Sequence, residues 1–147
     1  MGRTGPRDDE HPASHLLTGK VLDTSAILDI AARRSLYGQA LVDTALRDGS
    51  LLSVPAAALM EAWAGVDPTI AGQAPLVLLR ALPVVMVEHL DGETAEAVGA
   101  MAAHQSAPAS GVAHAVYVAR HRGWTIVTRD PDAVIALDPQ AAFEPLP

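Results

Sequence analysis

Two short apolar runs end in aspartate. Val21-Leu22 closes on Asp23 and is followed by Thr24-Ser25-Ala26-Ile27-Leu28. Near the other end, Trp124-Thr125-Ile126-Val127-Thr128 gives way to Arg129-Asp130-Pro131-Asp132. Asp is disfavoured in strands and is almost never fully buried unpaired. An Asp at a strand-to-helix junction is how an open α/β sheet presents a ligand group at its carboxyl edge. Two such strands predict carboxylates meeting over one cleft, a start for a hard-cation site, because Mg²⁺ and Mn²⁺ favour carboxylate oxygen. A further acid, Glu61, lies among Ala57, Ala58, Leu59, Met60, Ala62 and Trp63. Plainer roles exist for each. Asp23, Asp130 and the alternative Asp132 suit helix caps or turns. Glu61 falls beside a stripe of Leu59, Ala62 and Trp63, so an exposed face and an inward acid are both compatible with the pattern. Thr128 is placed to hydrogen-bond a carboxylate or a metal-bound water.

The elements that must position these acids alternate along the chain. Strands are predicted at Lys20 to Asp23, Leu51 to Val54, Val84 to Glu88 and Trp124 to Thr128, with a short edge strand before the irregular end Pro145-Leu146-Pro147. Helices are predicted from Thr24 to about Ser35, over Tyr37 to Asp48 with Gly49 as a stop, from Pro55 through Trp63, over Ala74 to Leu82, from a cap at Asp91 to about His104, from Ser110 to Arg122 ending at Gly123, and over Pro131 to Leu137. Such alternation implies an α/β fold: a mostly parallel central sheet with helices on both faces.

The bulk properties set the frame. The chain of 147 residues is long enough for one domain with a real core; half of it is apolar and 3% aromatic, so Ala, Val, Leu and Ile must build that core. There is no cysteine, which excludes disulfides, thiolate metal sites and a Cys nucleophile. The net charge of −7 argues against a surface that coats nucleic acid, while Arg33-Arg34, Arg120-His121-Arg122 and Arg129 leave room for local basic patches. Residues 1–19, rich in Gly, Pro, Arg, Asp and His, read as a flexible tail, and 20–147 as the domain. No apolar run reaches the ~20 residues of a membrane span, and no secretory signal core is visible, so a cytoplasmic protein is expected. The phosphate-loop, dinucleotide, nucleophile-elbow and zinc-protease signatures are absent. The histidines are scattered, and His114 reads as a packed or surface residue.

Taken together, Val-Leu-Asp23-Thr-Ser-Ala-Ile-Leu, a Glu on the helix after the short second strand, and Ala113-His114-Ala115-Val116-(x)₂-Ala119-Arg120-(x)₂-Gly123-(x)₃-Val127-Thr128-Arg129-Asp130 resemble a PIN domain, and most of all the VapC-type toxins of bacterial toxin–antitoxin pairs. The resemblance runs from Lys20 to the C-terminus. It implies a three-layer α/β/α domain and an endoribonuclease dependent on Mg²⁺ or Mn²⁺. Asp23, Glu61 and Asp130 would be its metal-holding, water-activating acids, and Arg122 and Arg129 would hold the RNA backbone. It also implies a homodimer and a small antitoxin that covers the active site. One acid of the pattern is missing: it would stand two residues before His114, where this chain has Val112. Two functions follow, a metal-dependent ribonuclease of lowered activity or a catalytically degenerate PIN domain that binds RNA or protein.

Overall fold

The computed structural model describes residues 18–105 and 109–147. The first seventeen residues of the expected tail lie outside the described residues. Strands β1 (Gly19–Leu22), β2 (Leu51–Pro55), β3 (Val85–Glu88), β4 (Thr125–Thr128) and β5 (Phe143–Pro145) form one sheet in the order β3-β2-β1-β4-β5. Every neighbouring pair is parallel. The helices are α1 (Thr24–Ala31), α2 (Leu36–Asp48), α3 (Ala56–Ala64), α4 (Ile70–Arg80), α5 (Gly92–Ala102), α6 (Ser110–Arg122) and α7 (Pro131–Leu137).

Strand alternation divides the core. Leu22 and Val127 face one cluster, built with Ala26, Ile27 and Ile30 of α1, Leu41 and Ala45 of α2, Ala58 and Ala62 of α3, and Leu76 and Leu79 of α4. Their chain neighbours Val21 and Ile126 face the other, built with Val98 and Ala102 of α5, Val112 to Ala119 of α6, and Val134 and Leu137 of α7. A period of two along each strand therefore places α1–α4 on one side and α5–α7 on the other, the expected three layers. Because the sheet is parallel throughout, all strand ends deliver to one edge, where β1 ends beside Asp23 and β4 beside Arg129 and Asp130.

Two helix boundaries differ from expectation for identifiable reasons. The first helix stops at Ala31 rather than near Ser35. Arg33 turns to φ 55°, and Ser35 caps α2 by accepting from Gly38 N at 3.0 Å. The fourth helix starts at Ile70, earlier than Ala74, because Thr69 caps it by accepting from Gly72 N at 3.0 Å. Pro75 then lies inside α4, where it removes one backbone donor. Burial of Leu76 and Leu79 holds the helix together past it. Among the described residues no helix is long and apolar enough to cross a membrane.

Candidate functional site

Asp23 lies at the centre of the carboxyl edge. Its own N–H donates to Val127 O at 3.3 Å, extending the β1–β4 pairing by one link. Its carboxylate caps α1, accepting from Ala26 N at 3.0 Å and from Ser25 Oγ at 2.6 Å. Only 4% of the residue is exposed. Burial pushes its carboxyl above the ordinary value, while hydrogen bonds from the Ser25 and Thr128 hydroxyls and the backbone pull the other way. The capping role and the edge placement read from the sequence coexist in one residue.

Thr128 is fully buried at the end of β4, accepts from Asp130 N at 2.9 Å and reaches Asp23 from the other strand. Asp130 caps α7 through Ala133 N at 3.3 Å and is exposed. Glu61 is half-buried on α3, and Thr24 Oγ1 donates to its Oε1 at 2.8 Å. Gly111, the second residue of α6, packs directly on this pair. A Cβ there would collide with Thr24 Oγ1 and Glu61 Oε1 and lie 3.0 Å from Ala58 Cα. The glycine thus lets the start of α6 close over α3 and α1. Its neighbour Val112 is 9% exposed and belongs to the apolar cluster of α5–α7.

A buried acid that the sequence reading did not single out completes this edge. Asp29 of α1 has no exposed surface, accepts from Ser35 Oγ at 2.7 Å and pairs with Arg129 Nη1 at 2.7 Å. Arg129 N in turn donates to Ser25 Oγ at 2.8 Å, so Asp23, Ser25, Arg129, Asp29 and Ser35 form one chain of contacts. The available signal was a lone acid between Leu28 and Ile30 in an apolar helix, with an arginine directly after the predicted strand Trp124 to Thr128.

Arg122 is elsewhere. It lies eleven residues along α6 from Gly111, about 16 Å at helical rise. There it pairs with Glu88 and stacks on Trp124 with its guanidinium carbon 4.9 Å from the ring centroid. These contacts tie the far end of α6 to β3 and to the residue that precedes β4. His114 is packed, as read: Nδ1 accepts from Ala57 N at 3.3 Å, and Nε2 is buried without a hydrogen-bond partner among the described residues. Burial pushes its pKa down, opposed by the charge of Glu88 and by the His89 backbone.

These residues do not fit a ready-made cation site. Asp23 and Glu61 reach one edge through the adjacent Thr24, and Asp130 follows β4. Among the described residues no group of three or more His, Asp or Glu side chains is gathered to hold an ion. Each acid is engaged by a local hydroxyl or backbone N–H.

The architecture is a central parallel sheet of five strands flanked by helices on both faces. Two solved structures share it. One is a chain of VapBC2 from Rickettsia felis bound to a DNA fragment from their promoter, with a TM-score of 0.67, 11% identity, and coverage of 86% of this chain and 97% of that one. The other is a chain of FitAB bound to an IR36 DNA fragment, with a TM-score of 0.54, 21% identity, and coverage of 86% and 94%. At these identities the likeness is one of fold. No family model matches the sequence, and no curated protein matches it significantly.

Proposed function

We propose that this chain is a VapC-like PIN module that binds RNA along the carboxyl edge of its sheet and pairs with a small antitoxin-like protein, its nuclease centre being too incomplete for efficient hydrolysis. The observation that carries this reading is Val112, buried in the apolar cluster at the place where the resemblance requires an acid. Losing that carboxylate removes the group that would draw Asp23, Glu61 and Asp130 around a cation. RNA binding is supported by Arg129, which is held at the edge with its side chain 40% exposed. A protein partner is supported by a groove of about 490 Å³ between α2 and α4, lined by Ile30, Val42, Leu46, Pro75 and Leu78 among others. A cytoplasmic homodimer belongs to the same reading; a clean monomer in sedimentation at micromolar concentration would remove the dimer from it.

A second reading has its own support. The three retained acids lie on neighbouring elements, and burial disfavours the charged form of Asp23. A cation bound there would relieve that penalty. On this reading the chain is a slow Mg²⁺- or Mn²⁺-dependent endoribonuclease. Labelled single-stranded RNA separates the two. The binding reading expects RNA to be bound in EDTA and left intact when Mn²⁺ is added. Metal-stimulated cleavage at many turnovers per hour would establish the second reading instead.

A further inference from the structure

We infer that Asp29 is a positioning residue for RNA: it fixes the Arg129 guanidinium so that its unused edge meets a phosphate at the carboxyl edge of the sheet. This rests on the RNA-binding reading given above and names the device that would make it work. Asp29 has no exposed surface, and a buried carboxylate is costly unless paired. Its partners are Ser35 Oγ and Arg129 Nη1, each at 2.7 Å. Arg129 is held at a second point, because its backbone N–H donates to Ser25 Oγ at 2.8 Å. A guanidinium carries five N–H donors in a rigid fork, so a contact through Nη1 leaves other donors for a second acceptor, and among the described residues Asp29 is the side-chain partner of Arg129. With its side chain 40% exposed, Arg129 can present them to solvent next to Asp130 and the Asp23–Ser25 pair.

The arrangement gives the edge an oriented cation where its acids would otherwise repel RNA. The chain carries a net charge of −7, so affinity for a polyanion must come from a few placed cations rather than from the overall field. An arginine tethered on one edge also loses less side-chain freedom when it takes a phosphate. Ser35 extends the link to α2, since its hydroxyl both donates to Asp29 and caps that helix.

The test turns on sign. Asp29→Asn removes a negative charge, which general electrostatics says should tighten RNA binding. If Asp29 positions Arg129, the same change weakens it. Binding of a fluorescein-labelled single-stranded RNA to the full chain would be followed by anisotropy in EDTA across a salt series. Arg129→Gln is expected to weaken binding roughly tenfold. It should also flatten the slope of log affinity against log salt by about 0.7, the value for one single-strand phosphate contact. D29N is expected to weaken binding severalfold, and the double variant to bind no worse than R129Q alone. D29N binding as tightly as wild type, with R129Q weakened, overturns the positioning role while the RNA reading stands. Wild type and R129Q binding alike removes the RNA role of Arg129 itself. Should D29N fail to fold, Arg129→Lys keeps the charge and removes the fork. Weakened binding by R129K supports the inference, and wild-type affinity overturns it.

Discussion

Restoring the missing acid perturbs this fold in a calculable way. Val112 is the third residue of α6 and 9% exposed. Val112→Asp gives up the burial of a valine side chain, about 2 kcal/mol. It also places a carboxyl in an apolar cluster, about 1–2 kcal/mol more if the group is incompletely satisfied. The positive end of the helix returns roughly 0.5 kcal/mol. The net loss is roughly 3 kcal/mol, which at about 3 °C per kcal/mol for a domain of this size lowers the melting temperature by roughly 9 °C. In exchange the variant acquires a fourth acid one residue along α6 from Gly111, which packs on Glu61. A cation present at a hundred times its dissociation constant would restore about 2.7 kcal/mol by linkage. Melting curves of wild type and V112D in EDTA and in millimolar Mn²⁺ read both terms. The expected result is a variant that melts low in EDTA and recovers most of the loss with Mn²⁺, beside a wild type that barely responds. An equal Mn²⁺ gain in both proteins would refute the reasoning, because the site would then be complete without position 112.

Asp23→Asn should melt higher than wild type at pH 7, since asparagine keeps the cap and removes a buried charge. The folded pKa of Asp23 is raised, so its contribution to stability is fully present below the ordinary carboxylate value and is lost as pH rises through the raised one. The difference between the two proteins should therefore close as pH falls toward 3, and a gap that persists there would contradict the burial argument. Gly111→Ala should destabilise by about 1–3 kcal/mol, because the new methyl must displace Thr24, Glu61 or the α3 backbone. Chemical denaturation checks this, and a neutral result would show that α6 has room to retreat.

The fold was legible because its signals were local. Asp23, Gly123 and Pro131 mark their boundaries by capping or turn chemistry, and the structure places helix ends at or beside each of them. Pairs such as Val21 and Leu22 carry the alternation that assigns helices to the two faces. Boundaries slipped where Thr69 caps a helix that starts four residues before the expected Ala74, and where Ser35 served the next helix rather than the last. The candidate site was less legible because its geometry is tertiary. Sequence named Asp23, Glu61, Thr128 and Asp130, and marked Val112 as the departure from the pattern. It had no means of showing that Thr24 holds Glu61, that Glu88 and Trp124 occupy Arg122 at the far end of α6, or that Asp29 holds Arg129. Each of those depends on a contact between residues thirty or more positions apart in the sequence or at helix ends that only the packed fold brings together.

An apolar residue at position 112 should leave the nuclease centre incomplete while RNA binding survives. Single-turnover cleavage of one labelled single-stranded RNA, measured in Mn²⁺ for wild type and V112D side by side and alongside their affinities in EDTA, tests it most directly. Similar RNA affinity is expected for both, with no metal-dependent cleavage by wild type above the EDTA control and measurable cleavage by V112D. Wild type cleaving as fast as V112D would contradict it.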